Sequence, residues 1–591
     1  MEVNQTHNFP TSLATPSSGS TKKSTLPKNF PVYRRFASSR TRGAAAKQRL
    51  VNSKLLYLLL FIALWAYIGF HVQSRWAHDN DADNLPTTSR ASIPVSTNKT
   101  TKTNTKTNTK TKTPAEQRRI GKVSKRPRSF DLVRTTARKR KGKLLQVNDE
   151  QEIPMKNSTY GFLVGPFGRE EDEVFEWSPD RRTGTCDRKG EFARLVWSRR
   201  VVLVLHDLSM TGAPLSMLEL AKELLSCGAS VSVVAVSRKG GLLSEITRKK
   251  INIVEENPEA SFKSARKADL VIVGSAVCAQ WIDKFIASFP REGSKIMWWI
   301  MENRMEYFQR AKIAIERVKT VTFLTETQRE AWLSWCKEST IKLRNPTAVV
   351  PLSVSDELAF VAGIPSSLNS PAFPPEKMTE KKNKLRDHVR KLMGLGDNDV
   401  LTMTLSSVNP GKGQLLLVES MEEIRKLNTS ESNSLKLLIG SVGSKGNKAS
   451  YVNEILGFLS SHPKLRKSVI WSKSSTRVAA LYSAADIYVM NSQGMGETFG
   501  RVTIEAMAFG LPVIGTDAGG TKEIVKHNAS GLLYPTGRAG APVLAETLRI
   551  LLNNSSVRES MGNNGLKKVK EMYLKRHMYK KLAQVLYKTL S

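Results

Sequence analysis

The chain has 591 residues, 40% of them hydrophobic, and is long enough for several globular domains. Its formal net charge of +38 raises the question of a nucleic-acid partner. Residues 1–150 hold 29 Lys and Arg against 8 Asp and Glu, whereas the remaining residues hold 62 against 45. The basic excess is thus concentrated in the leading tail, and a nucleic-acid-binding protein is favoured by net charge alone.

An apolar, uncharged run at residues 55–72 is close to the ~20 residues that a membrane-spanning helix needs. It begins too far from Met1 for a cleaved signal peptide, so we predict an uncleaved signal anchor. Basic residues precede it and three aspartates follow it, which places residues 1–54 in the cytosol and the rest in a lumen. The short span favours the Golgi membrane. A buried core helix is the alternative, but no folded neighbourhood flanks the run.

Residues 73–195 are predicted to form a low-complexity basic stem. Their repeat TNKTTKTNTKTNTKTKTP lacks apolar periodicity and cannot bury enough surface to fold. Basic runs can also bind nucleic acid, but no aromatic residues interleave with them, and a lumenal position removes that partner. We therefore interpret the segment as a solvated spacer.

The cysteines decide little. They are Cys186, Cys227, Cys278 and Cys336. They are too few and too scattered for a disulfide scaffold or a zinc site with paired ligands. Cys227 falls where an apolar helix pattern ends, so we expect a buried thiol there, and one disulfide stays open as an alternative.

The rest of the chain is predicted to be α/β, in two domains at residues 196–372 and 373–591. A β-branched run, a glycine-containing turn, an amphipathic stretch and a second apolar run, in that order, indicate a β-α-β unit with a parallel sheet. Strands are predicted at 201–205, 231–236, 270–273, 296–300, 321–324, 401–405, 435–439, 469–471, 486–490 and 513–515. A Pro- and Ser-rich stretch and a charged helix at 381–393 separate the domains. Two facing doubly wound sheets place a ligand cleft between them.

The most informative stretch is residues 486–535. A strand ends near Asn491, a Gly-rich turn follows, and a helix is predicted from about residue 499 to 509. Glu497 precedes this helix, Glu505 lies eight positions later, and Gly500 stands between them. On their own, two such acids could simply serve a helix N-terminus and a surface face. In this context the spacing resembles the signature of glycosyltransferase family 4, the group 1 glycosyl transferases of the GT-B fold.

The resemblance implies roles for these residues. Glu505 would bind the donor ribose, because a carboxylate can accept hydrogen bonds from two vicinal hydroxyls. Glu497 would lie against the sugar ring. Amides at the helix start would face the sugar and phosphates, and they belong to Thr498, Phe499 and Gly500. Gly519 and Gly520 continue the resemblance and are candidate sugar contacts.

A second element, SSVNPGKGQ at residues 406–414, resembles the family's loop in which an Arg and a Lys grip the donor diphosphate. Lys412 matches the Lys, and Lys412 and Gly413 would bind the donor. Ser407 stands where the Arg is usual. Either another basic side chain substitutes for it or the leaving group is stabilised less.

Two further positions come from the first domain. Gly212 resembles the family's glycine at the donor phosphates, where a side chain would block close approach, although a glycine needed only for the turn is the competing interpretation. In WWIMEN at residues 298–303 the family commonly has a His, and here Met301 or Glu302 occupies that place. Glu302 is a candidate hydrogen-bond partner of a sugar hydroxyl.

The resemblance implies a retaining glycosyltransferase that moves a sugar from a nucleotide sugar, a UDP-sugar, to an acceptor hydroxyl in the Golgi lumen. Lys412 and Glu497 would be the catalytic residues, and the acceptor would be a glycan, glycoprotein or lipid. No cofactor or metal is expected, because the acid pair Asp79 and Asp81 lies beside the membrane run without a supporting strand. No nucleic-acid partner is expected, because the predicted position is lumenal. The alternative is a non-catalytic Golgi sugar-binding, nucleotide-binding or scaffold protein of the same fold, favoured by the missing Arg and His.

Overall fold

The structure, a computed structural model, describes residues 161–179, 186–365, 370–442, 444 and 446–591. The predicted cytosolic tail, the predicted anchor at residues 55–72 and the repeat of the predicted stem lie outside the described residues. Within the described part of the chain, no helix is both long enough and apolar enough to span a bilayer.

The described residues form two parallel sheets of seven strands each. The strands are β1 Phe162–Val164, β2 Arg200–Leu205, β3 Ser230–Ala235, β4 Asn252–Ile253, β5 Leu270–Gly274, β6 Ile296–Trp299, β7 Thr320–Phe323, β8 Ala348–Val349, β9 Val400–Thr404, β10 Leu435–Val442, β11 Val469–Lys473, β12 Ile487–Met490, β13 Val513–Thr516 and β14 Gly531–Tyr534. The central strands β5, β6, β7, β9, β12 and β13 are buried along their whole length, as expected of parallel strands covered by helices on both faces.

Helices connect the strands. They are α1 Gly168–Phe175, α2 Glu191–Val196, α3 Gly212–Ser226, α4 Leu242–Arg248, α5 Pro258–Lys267, α6 Ala279–Ser288, α7 Met305–Ala311, α8 Glu326–Glu338, α9 Asp356–Val361, α10 Pro375–Leu392, α11 Gln414–Lys426, α12 Ser430–Ser434, α13 Ala449–Ser461, α14 Pro463–Arg466, α15 Ala479–Ala484, α16 Arg501–Ala508, α17 Gly519–Ile524, α18 Ala541–Asn553, α19 Ser555–Met572 and α20 Lys575–Leu590. Short 3-10 helices occur at Ala276–Cys278, Pro290–Lys295, Ile315–Arg317, Pro410–Lys412 and Arg538–Gly540.

The strand order makes each domain doubly wound. The first sheet runs β4-β3-β2-β5-β6-β7-β8, and the second runs β1-β11-β10-β9-β12-β13-β14. In each, the first strand of the domain lies near the middle and later strands add on both sides, so the loops after the central strands open at one edge. All ten predicted strands are present with small shifts of their ends. The short strands β1, β4, β8 and β14 were not predicted.

The prediction of a stem reaching residue 195 is wrong for its last part. Phe162 and Val164 of β1 pair with Ile470 and Ser472 of β11, so the second sheet begins ahead of the first domain. Helix α2 packs against α20 through Phe192 and Tyr579. A three-residue strand whose partner lies about three hundred residues later carries no local signal of its own.

The final helix, α20, returns to the first domain. Thr589 shares a hydrogen bond of 2.9 Å with Thr320 on β7. At the start of the helix, Lys575 forms ion pairs with Asp356 at 2.8 Å and with Glu223 at 2.5 Å. The chain therefore crosses between the domains near both of its described ends.

A disulfide joins Cys186 to Cys227 at the end of α3. The expectation of a buried thiol at Cys227 is wrong, because Cys227 is buried but bonded, which is the alternative that the sequence left open. The bond ties the segment before α2 to the first domain. Cys278 and Cys336 are buried and free.

We expect the disulfide to stabilise the fold. The two cysteines are 41 residues apart in sequence, and closing a loop of that size contributes about 2–4 kcal/mol, mainly by restricting the unfolded chain. A reductant should therefore lower the melting temperature of the wild-type chain and leave that of a Cys186→Ala/Cys227→Ala variant unchanged. Equal melting temperatures of the wild type with and without reductant would contradict this expectation.

Candidate active site between the two domains

A cleft of roughly 380 Å³ lies between the domains, at the carboxyl ends of both sheets. Gly212 lines it from the first domain. Lys412, Glu497 and Glu505 line it from the second domain, together with Ser407. The structure thus brings together, in one place, residues that are spread over almost three hundred positions of the chain.

Lys412 and Glu497 form an ion pair across two loops. Lys412 ends the 3-10 helix that follows β9, and its ammonium group contacts the Glu497 carboxylate and, at 3.3 Å, the Ser492 hydroxyl. Ser492 also donates a hydrogen bond of 2.9 Å to Glu497. Burial alone would raise the pKa of Glu497, but Lys412 and Ser492 outweigh it and hold that pKa below its usual value. Glu497 is therefore an ionised carboxylate at neutral pH.

Gly413 sets the geometry of the lysine loop. Its φ of +64° favours glycine. Its carbonyl accepts a hydrogen bond of 2.5 Å from the Asn491 side chain, and a Cβ on Gly413 would lie only 2.8 Å from that amide nitrogen. The loop after β9 is thereby fixed to the end of β12, next to Ser492.

Glu505 is buried on α16 and held from two sides. Arg501 donates to one carboxylate oxygen at 2.8 Å, and the Tyr482 hydroxyl donates to the other at 3.0 Å. Burial and the charge of Glu505 raise the pKa of Tyr482, so Tyr482 stays protonated and acts as the donor. The carboxylate is therefore oriented before any ligand arrives.

The residues between the two acids form the start of α16. Gly500 is the N-cap with a φ of +93°, which places the helix N-terminus beside Glu497. The Thr498 carbonyl accepts a hydrogen bond of 3.2 Å from Thr325 of the first domain. Phe499 packs edge-on against Tyr573. Their backbone connects Glu497 to the N-terminus of α16, and the Phe499 side chain packs this turn against the core.

Gly519 and Gly520 were predicted as sugar contacts, and in the structure they support the Glu497 loop. Gly520 donates its amide to the Glu497 carbonyl at 2.7 Å, and a Cβ on Gly520 would lie 2.6 Å from the Thr498 carbonyl oxygen. Neither glycine is among the described residues that line the cleft. Close backbone approach explains why these positions are glycine, and their contact with a sugar stays a prediction.

Glu302 was also predicted as a sugar contact. In the structure its carboxylate accepts hydrogen bonds from residues of the first domain. One oxygen bonds to the Ser275 hydroxyl, and the other accepts the amide of Ala276 at 2.8 Å. Its carbonyl accepts from Trp332 and Gln328, both at 3.0 Å. Glu302 thus ties the ends of β5 and β6 together, and Met301 beside it is buried.

The Ser407 hydroxyl lies 3.2 Å from that of Ser444. Sequence reasoning missed a cation on the opposite domain, Arg304, which caps α7. Its guanidinium Nη2 lies 3.8 Å from the position that a Cβ would take on Gly411, and its charge helps to lower the pKa of Glu497. Its ion pair with Glu306 is long, at 3.9 Å, and exposed. Arg304 directly follows WWIMEN, so its position could have been noticed.

The two domains match two glycosyltransferase family models. Residues 197–367 match Glycosyl-transferase family 4, and residues 386–568 match Glycosyl transferases group 1. The chain therefore contains two glycosyltransferase family domains arranged as a GT-B fold. The segments before residue 197 and after residue 568 lie outside both matches.

Individual proteins similar to this chain are also named as glycosyltransferases. The capsular polysaccharide biosynthesis glycosyltransferase CapM of Staphylococcus aureus is 29% identical over 207 residues, which are 35% of this chain and 50% of CapM. The putative glycosyltransferase YtcC of Bacillus subtilis is 28% identical over 228 residues, 38% of this chain and 54% of YtcC. The chain thus spans about half the length of these curated relatives.

Among solved structures, that of Anabaena HepE in complex with UDP-glucose is 16% identical, with a TM-score of 0.54 over 66% of this chain and 99% of HepE. A glycosyltransferase from Rickettsia africae is 17% identical, with a TM-score of 0.53 over 67% of this chain and 99% of that one. At such low identity the likeness establishes the fold.

Gly212 gives a direct test of the cleft. No described atom lies within 4 Å of the position that its Cβ would take, and it lines the cleft. A Gly212→Leu variant should therefore keep its melting temperature but weaken binding of uridine diphosphate by at least tenfold, about 1.4 kcal/mol, measured by calorimetry.

The matched control is Gly457→Leu, because Gly457 of α13 also has open space around it but lies away from the cleft. This control should bind like the wild type. Unchanged binding by Gly212→Leu would place the ligand elsewhere.

Proposed function

We propose that this chain is a retaining, metal-independent glycosyltransferase that moves a hexose from a UDP-sugar to an acceptor hydroxyl. The observation that carries the proposal is the convergence of Gly212, Lys412, Glu497 and Glu505 in one cleft between two glycosyltransferase family domains. The complex of Anabaena HepE with UDP-glucose supports uridine diphosphate as the carrier. The acceptor is a glycan, a glycoprotein or a lipid.

The charges that develop on the donor during the reaction assign roles to the residues of the cleft. When the bond from the anomeric carbon to the phosphate oxygen breaks, its electron pair goes to the diphosphate, and the carbon becomes cationic. Lys412 and the amides at the start of α16 stabilise the diphosphate, and the ionised Glu497 lies beside the cationic ring. The acceptor oxygen bonds to the carbon on the face that the phosphate leaves, and its proton passes to the phosphate. Sugar stereochemistry is thereby retained without a protein nucleophile.

Arg304 supplies the second cation that Ser407 does not. It approaches the Gly411–Lys412 turn from the first domain, whereas the family's Arg would come from the same loop as the Lys. Its weak ion pair with Glu306 leaves it able to turn to a diphosphate. Because Arg304 and Lys412 belong to different domains, both reach the leaving group when the domains enclose the donor.

We further propose that the domains work in the Golgi lumen, behind the signal anchor at residues 55–72. The disulfide between Cys186 and Cys227 supports this, because such bonds persist in oxidising compartments and are rare in the cytosol. Protease treatment of sealed membranes carrying the full chain tests this orientation. A lumenal domain survives the protease, and its digestion would refute the proposal.

Loss of Lys412 or Glu505 should abolish most activity without unfolding the chain. We expect Lys412→Ala and Glu505→Ala each to lower kcat/KM by roughly 10²–10³-fold, since each removes a charged group at the donor. Turnover is measured as nucleotide release by the full chain in detergent, with a panel of nucleotide sugars.

A control for these variants is Lys426→Ala, because Lys426 has only an exposed pair with Glu423. Its activity should equal that of the wild type. Wild-type turnover in either site variant would refute the site.

Arg304→Ala should lower kcat by about tenfold or more, and Arg304→Lys should restore part of it, because the charge rather than the fold is lost. The affinity for uridine diphosphate should fall more than that for uridine monophosphate. Arg310→Ala on the same helix is the control. Equal losses of affinity for both nucleotides would show that Arg304 does not contact the leaving phosphate.

A non-catalytic sugar-binding or nucleotide-binding protein is the second candidate, favoured by the serine at position 407. It predicts nucleotide binding without release of sugar or nucleotide from any donor. The same donor panel separates the two functions.

A further inference from the structure

The segment before the first domain reaches the cleft, although it lies outside both family matches. Strand β1 extends the second sheet beside β11. Helix α1 then places Glu171 next to Arg477, which lies in the loop after β11. Glu171 and Arg477 both line the cleft.

The guanidinium of Arg477 is held rigidly. Asp172 accepts hydrogen bonds from both of its terminal nitrogens, at 3.2 and 2.6 Å, and Glu171 accepts another at 2.8 Å. A Cβ on Gly168 would lie 3.4 Å from the central carbon of the guanidinium, so the backbone of α1 covers part of this group. The Arg477 side chain keeps 27% of its surface exposed.

The position of Arg477 along the cleft follows from its neighbours. Tyr482 of α15 bonds to Glu505, the residue that the family resemblance assigns to the donor ribose. The loop carrying Arg477 leads directly into α15, and it follows β11, which is separated by β10 from the strand that precedes Lys412. Arg477 therefore lies beyond the ribose position, on the side away from the transferred sugar.

We propose that Arg477 is the platform on which the donor nucleobase stacks, and that α1 completes the donor site by holding the guanidinium in place. The inference rests on the proposed function. Because its terminal nitrogens bond to carboxylates and its Nε is buried, Arg477 offers a ligand chiefly its planar face. A planar cation stacks favourably on an aromatic ring.

The unfavourable desolvation of the ion pairs among Glu171, Asp172 and Arg477 supports a role beyond folding. Glu171 is 4% exposed, and burial raises its pKa to about 6 in spite of Arg477. Buried ion pairs are weak contributors to stability, because desolvation offsets their attraction.

Two ligands distinguish the contribution of base stacking to binding from that of charge. They are uridine diphosphate and ribose 5-diphosphate, which lacks the base. Binding to the full chain in detergent is measured by calorimetry, and folding by melting temperature. Arg477→Ala should weaken binding of uridine diphosphate roughly tenfold, the usual effect of losing one stacked base, and leave ribose 5-diphosphate unaffected. Arg477→Lys, which keeps the charge and loses the plane, should resemble Arg477→Ala.

Asp172→Asn tests the role of α1, and it also decides the matter if Arg477→Ala does not fold. It should weaken binding of uridine diphosphate alone, by a few fold. Glu173→Ala on the same helix is the control, since Glu173 has only an exposed pair with Arg169.

Equal losses for both ligands, or no loss in either Arg477 variant, overturn the inference while the proposed function stands. A wild-type chain that binds neither ligand overturns both.

Discussion

Lys412 and Glu497 lie on loops that follow two neighbouring central strands, and the ion pair between them fixes those loops to each other. The positions of both residues of the ion pair require nearby glycines. Gly413 allows the lysine loop to contact the end of β12, and Gly520 allows the start of α17 to contact the backbone of Glu497. Where Glu497 lies determines where α16 begins, and therefore where Glu505 is buried. A ligand that replaced Glu497 as the partner of Lys412 would release this link. In the unliganded chain the pair keeps a half-buried carboxylate satisfied.

Much of the site could be predicted because its information is local. Glu497, Gly500 and Glu505 belong to one strand-turn-helix segment, and their spacing fixes their relative positions once the segment folds. Lys412 was predicted for the same reason, since its loop follows a strongly apolar strand. Doubly wound topology then brings the loops after adjacent strands to one edge, which explains why residues on separate segments meet.

What could not be predicted depends on partners distant in sequence. Arg477 gains its rigidity from Asp172, about three hundred residues earlier, in a segment whose composition is polar and whose strand has three residues. The type and position of Glu302 suited a sugar hydroxyl, and the structure adds that Ser275 and the amide of Ala276 compete for the same carboxylate. Sequence spacing identifies a polar side chain near a cleft, and only the packed neighbours determine which way it turns.

The crossings of the chain at β1 and α20 make the two domains interdependent. Removing β1 would leave β11 as an open edge, with unpaired backbone groups available to another chain. Removing α20 would uncover apolar side chains such as Phe192, which Tyr579 now covers. The limits of the family matches are therefore not the limits of a self-contained folding unit. A polypeptide cut back to residues 197–568 would lack β1, α1 and α20. It would expose the edge of β11 and the surface of the first domain that α20 covers, so we expect it to self-associate.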